Sequence, residues 1–116
     1  MPKSVDYYLS KGLDIKMANY FASGRKKITD VIPNKDFTLL LTFDNSEKRI
    51  FDMKPLLKKD TIFEHFMNFE DFKRVYLDDS NCVSWDINPN INSEIEWNNK
   101  VDLSSDVCYV DSIPCV

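Results

Sequence analysis

The chain has 116 residues, 43% of them hydrophobic, which suits one folded domain with a single core and argues against disorder. Fifteen basic and 19 acidic side chains give a net charge of −4, so a broad basic face for nucleic acid is not expected. Only two glycines are present, which disfavours a fold built around a glycine-rich phosphate loop.

The cysteines and the apolar runs bear on the compartment. Three cysteines without a C-x-x-C pair fit reduced thiols better than a disulfide framework. No apolar run approaches the ~20 residues that span a bilayer. The segment MPKSVDYYLSKG lacks the apolar stretch and small-residue cleavage site of a secretory signal. These features predict a cytoplasmic protein that does not enter a membrane.

Residues 1–24 are predicted to form a helical hairpin. Ser4 suits the N-cap of a first helix, and Gly12 suits the left-handed position just past its end. Asp14 can cap a second helix, DIKMANYFAS, which stops at Gly24. Its apolar stripe comprises Met17, Ala18, Phe21 and Ala22.

From Lys27 the apolar period changes from that of a helix to that of strands. ITDVIP forms a first strand, and FTLLLTF a second, with Phe37, Leu39, Leu41 and Phe43 on one face. A turn at Asp44–Ser46 leads into an antiparallel return strand over Arg49–Met53.

The next segment predicts one phenylalanine-rich helix over Ile62–Val75. Thr61 suits its N-cap, and Glu64 lies three residues on, as in a capping box. VYLDD and CVSW predict two short strands joined by a turn at Asp79–Asn81, and DINPNINSE is a polar loop.

The chain closes with further strand and helix signals. EIEW and KVDL are expected to continue the sheet, and SSDVCYV to form a helical turn. Trp97, Leu103 and Cys82 are predicted as core residues. Ser104 is the expected N-cap, with Asp106 in the first turn, where a negative charge meets the helix dipole.

Several chemistries are considered and disfavoured. DINPNINSEIEW spaces its oxygens like a calcium loop, yet it has Ile91 and Trp97 where glycine and glutamate are needed. Zinc would need partners for the lone His65, and the three cysteines are scattered. Acidic pairs such as Asp102 and Asp106 suit turns and caps better than an acid–base site.

Two further sites have weak sequence support for a function. Cys108 lies near a helix start, which is the only feature that favours a reactive thiol. The basic run GRKK follows the second helix, where cations stabilise the negative C-terminal end. DNA contact through this run is therefore the less favoured interpretation.

An ordered set of motifs runs from about residue 28 to residue 109. It comprises Val31-Ile32-Pro33, then LLLTFDNSEKRIFDMKPLL over residues 39–57, then the phenylalanine-rich segment, Val83–Trp85 and Asp102–Tyr109. This order resembles the bacterial family called domain of unknown function 2442. Ser46 stands where that family usually has a turn glycine. Trp85 and Trp97 are both available to match its tryptophan, because a polar insertion separates them.

The resemblance implies an α+β fold, in which one or two short helices pack on a small, mostly antiparallel sheet. Residues 27–110 would form this core and residues 1–24 a helical-hairpin extension, within a single domain over 1–116. Relatives are sometimes fused to helix-turn-helix domains and often look like partners of a second small protein, as in toxin–antitoxin pairs. The resemblance supplies no catalytic residues.

We therefore expect a non-enzymatic protein-interaction module without a cofactor or metal, resembling the antitoxin-like or accessory member of a two-protein bacterial or phage system. Its partner would be a protein, such as the product of an adjacent gene, and a homodimer stays open. The candidate partner-binding residues are Tyr7, Tyr8, Met17, Tyr20 and Phe21 in the hairpin and Asn90, Asn92 and Glu94 in the loop. For Met17 and Phe21, packing on the sheet is the competing interpretation.

Two other functions stay open from sequence. One is a DNA-binding transcriptional regulator that acts as a dimer through the hairpin. The other is a phage-type inhibitor of a host defence nuclease, since an acidic protein can occupy a cationic nucleic-acid groove.

Overall fold

The computed structural model of the protein describes residues 3–115, which contain four α-helices and seven strands. The helices are α1 (Val5–Ser10), α2 (Ile15–Ala22), α3 (Phe69–Phe72) and α4 (Ser105–Val110). The strands are β1 (Ile28–Pro33), β2 (Thr38–Phe43), β3 (Lys48–Asp52), β4 (Tyr76–Leu77), β5 (Val83–Asp86), β6 (Lys100–Leu103) and β7 (Ile113–Pro114). The predicted α+β class and the N-terminal helical hairpin are confirmed.

The strands form two small antiparallel sheets. The larger sheet has the order β1-β2-β3-β7, and the smaller has the order β4-β5-β6. The outer strands of the larger sheet are β1 and β7, and each ends in a proline, Pro33 and Pro114. Strand β7 is an element that the sequence patterns do not indicate, because it has only two residues.

The β2–β3 hairpin forms as its pattern predicts. Leu39, Leu41 and Phe43 are all buried on one face of β2. The turn then passes through Ser46, whose φ of 69° lies in the left-handed region that favours glycine. Ser46 therefore adopts the conformation for which a glycine at this turn would be the unstrained choice.

The core is centred on Trp85, which is fully buried on β5. Its ring stacks on Phe66 at 5.3 Å between centroids, and its indole N–H donates to the carbonyl of Phe72 at 2.9 Å. Burying a tryptophan requires a partner for the N–H, and the Phe72 carbonyl supplies it. The same apolar cluster contains residues of β1, β2, β3, β5 and β6, so both sheets share one core.

The predicted continuous helix over Ile62–Val75 is wrong. The segment forms a 3₁₀ turn over Ile62–Phe66 and then a separate helix, α3. The phenylalanines Phe63, Phe66, Phe69 and Phe72 recur every three residues. This spacing matches a 3₁₀ helix, in which side chains three apart eclipse, rather than the 3.6-residue period of an α-helix.

The predicted capping box at the start of this segment is also absent. The Thr61 hydroxyl donates to the Lys58 carbonyl at 2.8 Å, and the Glu64 carboxylate accepts from the backbone N–H of Asp60. The side chain of Asn68 instead accepts from the Glu70 N–H and starts α3. An N-cap two residues after the turn divides the segment.

The end of the chain follows the prediction in part. KVDL forms β6 beside β5, and the Ser104 side chain caps α4 by accepting from the Val107 N–H. EIEW, by contrast, is not a strand, since residues 87–99 leave the sheet as a loop that ends in a 3₁₀ turn over Trp97–Asn99. Leu103 and Cys82, predicted as core, are only half-buried.

Candidate interaction surfaces

The hairpin is held to the core by Tyr20, which is only 4% exposed. Its hydroxyl donates to Asp106 Oδ1 at 2.5 Å and accepts from the backbone N–H of Lys26 at 2.9 Å. Burial and this bond to Asp106 raise the pKa of Tyr20 well above its ordinary value. Tyr20, which the sequence offers as a partner-binding residue, is thus occupied inside the protein.

Asp106 joins α4 to the chain beyond α2. Arg25 donates to both of its oxygens, from Nε at 3.2 Å and from Nη2 at 2.8 Å. This two-pronged geometry is the arrangement in which arginine binds a carboxylate most specifically. The predicted position of Asp106 in the first turn of α4 is confirmed, and its carboxylate also anchors the hairpin.

Tyr109 is the second contact between the hairpin and the sheet. Its ring lies 5.2 Å from that of Tyr20 and 4.9 Å from that of Phe43, between centroids. Its hydroxyl donates to Glu47, and this bond, ahead of the nearby Arg49 guanidinium, holds the pKa of Glu47 below its usual range. Helix α4 and the end of the turn that leads into β3 are tied together through this pair.

The remaining hairpin candidates contact one another more than solvent. Tyr8 lies between Tyr7 and Phe21, with ring centroids 5.2 and 5.5 Å away. Met17, Tyr8 and Phe21 are half-buried, whereas Tyr7 is 41% exposed. Among the predicted hairpin residues, Tyr7 therefore offers the most surface to another molecule.

The loop over residues 87–99 is closed by Asn99, which is 7% exposed. Its amide Nδ2 donates to the carbonyls of Asn88 and Ile91 at 3.0 and 3.2 Å and to Ser93 Oγ at 3.0 Å. Its Oδ1 accepts from the Asn88 N–H at 2.9 Å. The two hydrogens of Nδ2 are shared among three acceptors, so a single amide contacts four groups of the loop backbone and side chains.

Asp86 fixes the same loop from the end of β5. Its Oδ1 accepts from the hydroxyls of Tyr76 at 2.8 Å and Ser93 at 2.5 Å. These bonds connect the loop to the smaller sheet as well as to itself. Loop 87–99 is irregular in backbone, yet it is extensively hydrogen-bonded.

The predicted loop residues Asn90, Asn92 and Glu94 are all exposed. Asn92 Oδ1 accepts from the Glu94 N–H at 2.9 Å, and the Asn90 N–H donates to Asn88 Oδ1 at 3.0 Å. The three residues help to line an open depression of about 550 Å³. They shape the loop, and the side chain of Glu94 remains at the surface.

The most exposed apolar residues of the loop are two that the sequence interpretation misses. Trp97 is 82% exposed and Ile95 is 77% exposed, while Ile91 is 39% exposed. The prediction that Trp97 is a core residue is wrong, because Trp85 occupies the core. The sequence does contain a local signal for the exposure of these two residues, because Ile95 has glutamates on both sides and two asparagines follow Trp97.

The calcium-like spacing of this loop does not create a calcium cage. The side-chain oxygens of Asp86, Asn88 and Asn92 accept hydrogen bonds from the loop itself. Ile91 and Trp97 also occupy the positions where a calcium loop uses glycine and glutamate. The donor set therefore does not fit a calcium ion.

A second oxygen- and sulfur-bearing cluster comprises Asp78, Cys82 and Asp102, with candidate ligand atoms within 4.8 Å of one another. Asp78 Oδ2 pairs with Lys100 Nζ at 2.8 Å, and its Oδ1 accepts from the Cys82 N–H at 3.0 Å. Burial, followed by the charges of Asp78 and Asp102, raises the pKa of the Cys82 thiol. A metal would need the thiolate, so this cluster favours an ion pair over a metal site.

Cys108 also lacks the setting of a nucleophile. It is fully buried in α4, and burial raises the pKa of its thiol to about 12. Reactive cysteines have a depressed pKa and access to solvent. The weak sequence signal at Cys108 therefore reflects core packing.

The family model described as "Protein of unknown function (DUF2442)" matches residues 28–112, most of the chain. The chain belongs to this family. The DUF2442 region begins at the first residue of β1 and extends just beyond α4, so it contains both Asp106 and Tyr109, while the hairpin lies outside it. No curated protein and no solved structure gives a significant match. Within residues 3–115, no helix has the length and apolar character needed to cross a membrane.

Proposed function

We propose that this DUF2442 protein is a non-enzymatic protein-interaction module and that loop 87–99 is its main contact surface. The observation that carries the proposal is the exposure of Trp97 and Ile95, at 82% and 77%, on a loop fixed by hydrogen bonds. Tryptophan is among the residues that contribute most to protein–protein binding. On a loop held in place by hydrogen bonds, an exposed tryptophan is therefore a candidate anchor for a partner.

The rigidity of the loop strengthens this argument. Asn99 and Asp86 hold the loop backbone, so little ordering would be needed when a partner binds. Pre-organised loops lose less conformational entropy on association than mobile ones. Burial of Trp97 would then contribute most of its apolar transfer free energy, at about 25 cal/mol per Å².

The hairpin has a smaller part in the proposal. Tyr20 and Phe21 contact other rings of the protein, which leaves Ile15, 56% exposed, and Tyr7 and Leu9, each 41% exposed, as its exposed apolar residues. We assign the hairpin a supporting role, in which it stabilises the core and adds a minor contact.

The basic run after α2 supports protein binding over DNA binding. Arg25 is paired with Asp106, and the Lys26 ammonium donates to Ser23 Oγ and the Gly24 carbonyl. Lys26 also lies 5.1 Å from the ring of Tyr20. Cations that serve the fold in this way contribute less to a phosphate-binding face.

The proposed partner is the product of an adjacent gene, with the chain as the antitoxin-like or accessory member of the pair. In co-expression, the tagged chain is expected to retain this product through affinity and size-exclusion steps. Trp97→Ala should weaken the complex by about 2–4 kcal/mol, or roughly 30- to 1,000-fold in Kd, as hot-spot residues do.

Ile113→Ala is the matched control, because Ile113 is 69% exposed but lies on β7, outside the loop. It should leave the Kd unchanged, and circular dichroism should show that both variants are folded. A Kd that is the same for Trp97→Ala and the wild type would refute the assignment of the loop. Failure of the wild type to form any complex with the co-expressed product would refute the proposed function.

A further inference from the structure

We propose that the protein that covers loop 87–99 presents an apolar pocket rimmed by lysine and arginine side chains. This inference rests on the proposed function and specifies the chemistry of the partner. It follows from the placement of unpaired carboxylates around the two exposed apolar residues, Ile95 and Trp97.

The charges of the loop are of one sign. Residues 86–99 contain Asp86, Glu94 and Glu96 and no lysine, arginine or histidine. Glu94 and Glu96 are exposed and flank Ile95, and Glu96 directly precedes Trp97. Among residues 3–115, the ion pairs involve neither glutamate.

The acidic character continues beside the loop. Glu94 lines a second depression of about 170 Å³ together with Asp78 and Asp79. Lys100 is the cation there, and its ammonium is already paired with Asp78 at 2.8 Å. A partner that approaches Ile95 and Trp97 therefore meets negative potential on the neighbouring surface.

Desolvation then determines what can bind. A partner that buries Trp97 also removes water from the adjacent glutamates, and an unpaired carboxylate resists this transfer. Lysine or arginine at the rim of the partner's pocket would compensate the lost hydration and steer the encounter. The apolar part of the pocket would receive the indole and the Ile95 side chain.

Other occupants fit less well. A second copy that used the same loop across a two-fold axis would place carboxylates against carboxylates. Nucleic acid could stack a base on Trp97, but its phosphates would be repelled by the same glutamates. A protein with a basic rim is the occupant whose charge complements the loop.

The local potential can be measured on the free protein, because Trp85 is fully buried and Trp97 is exposed. Fluorescence quenching therefore reports mainly on Trp97. A negative potential attracts caesium and repels iodide. We therefore expect the ratio of caesium quenching to iodide quenching to be higher for Trp97 than for free N-acetyltryptophanamide. Glu94→Gln/Glu96→Gln should bring the caesium-to-iodide ratio close to that of the free compound.

The matched control is Asp6→Asn/Asp60→Asn, which removes two exposed carboxylates that are outside the ion pairs and far from the loop in sequence, and changes net charge equally. It should leave the quenching ratio at the wild-type value. A wild-type ratio equal to that of N-acetyltryptophanamide, or equal shifts in both double variants, would overturn the local negative potential and the inference built on it.

The binding test uses the co-expressed product of the adjacent gene, with association followed from about 50 to about 300 mM salt. Glu94→Gln/Glu96→Gln should slow association roughly three- to tenfold at low salt and flatten its salt dependence. The Asp6→Asn/Asp60→Asn control should behave like the wild type. Trp97→Ala should mainly speed dissociation.

The outcomes separate the two proposals. If a Trp97-dependent complex forms with the same association rate and salt dependence in all charge variants, the basic-rim inference fails and the proposed function stands. If no complex forms, both fail. If the chain alone sediments as a dimer that Trp97→Ala dissociates, a second copy covers the loop and the inference is overturned.

Discussion

Tyr20→Phe tests whether the hairpin and the DUF2442 core unfold as one unit. The change removes one hydroxyl and keeps the ring, including its 5.2 Å contact with Tyr109. The hydroxyl bonds Asp106 and the Lys26 N–H, both beyond the helix that carries Tyr20. Loss of the hydroxyl therefore weakens the attachment of the hairpin to the core and does not change the stability of α2 by itself.

The magnitude follows from these two bonds. A hydrogen bond to a charged group contributes about 1.5–3 kcal/mol, and an N–H left without a partner costs about 1–3 kcal/mol. Asp106 keeps its two bonds from Arg25, so the contribution of its bond to the Tyr20 hydroxyl lies at the lower end of that range. With both contributions at their lower ends, the expected loss in free energy of unfolding is about 2.5 kcal/mol, and Tyr20→Ala should lose more because it also leaves a cavity.

Urea denaturation read by far-ultraviolet circular dichroism and by Trp85 fluorescence provides the measurement, since one signal reports the helices and the other the core. Both transitions should move together by the same free energy. Tyr7→Phe is the control, because Tyr7 is 41% exposed and the change should stay within about 0.5 kcal/mol. A Tyr20→Phe effect of that small size, or a helix signal lost before the fluorescence changes, would refute the reasoning.

The remaining predictions concern Glu47, the cysteines and one turn. The depressed pKa of Glu47 adds stability that is present above about pH 5 and is lost as pH falls through the folded-state pKa. Glu47→Gln should therefore destabilise the protein at about pH 7 and much less at about pH 3. Equal differences in urea midpoint between variant and wild type at the two pH values would contradict this. Iodoacetamide should modify the exposed Cys115 in the native protein and spare Cys108, which is buried and whose thiol has a pKa of about 12. The labelling rates can be measured by peptide mass spectrometry, and equal rates at the two cysteines would contradict the prediction. Ser46→Gly should raise the free energy of unfolding by about 0.5–1 kcal/mol, because it relieves a left-handed φ of 69°. Ser80 is not itself in the left-handed region, although Asn81 beside it is, so Ser80→Gly should give no such gain. A stabilisation of the same size there would argue against strain relief.

The elements that sequence could predict are those with local signals. The period-two spacing of Leu39, Leu41 and Phe43 and the turn at Asp44–Ser46 lie within a few residues of one another, and both appear in the structure. The caps Ser4, Asp14 and Ser104 likewise require only nearby backbone groups, and all three form. The break after Phe66 was harder to predict, because the threonine-to-glutamate spacing at Thr61 has the form of a cap.

The candidate site was less predictable, because exposure is decided at a distance. The predicted apolar stripe of the second helix does not include Tyr20, and the Asp106 carboxylate that binds its hydroxyl lies 86 residues along the chain. Trp97 and Trp85 are both aromatic residues near strand patterns, and only the packed core distinguishes the buried one from the exposed one. The sequence therefore indicates which residues are apolar, and the tertiary structure determines which of them remain in water.

The two prolines at the outer strands of the larger sheet have a consequence for self-assembly. Pro33 and Pro114 lack the N–H that an added strand would need, and they stand at the end of β1 and of β7. Edge strands without such features are common starting points for aggregation and fibril growth. At these two positions the larger sheet offers no N–H to a further strand, so the protein that displays Trp97 and Ile95 to water is protected there against edge-to-edge pairing.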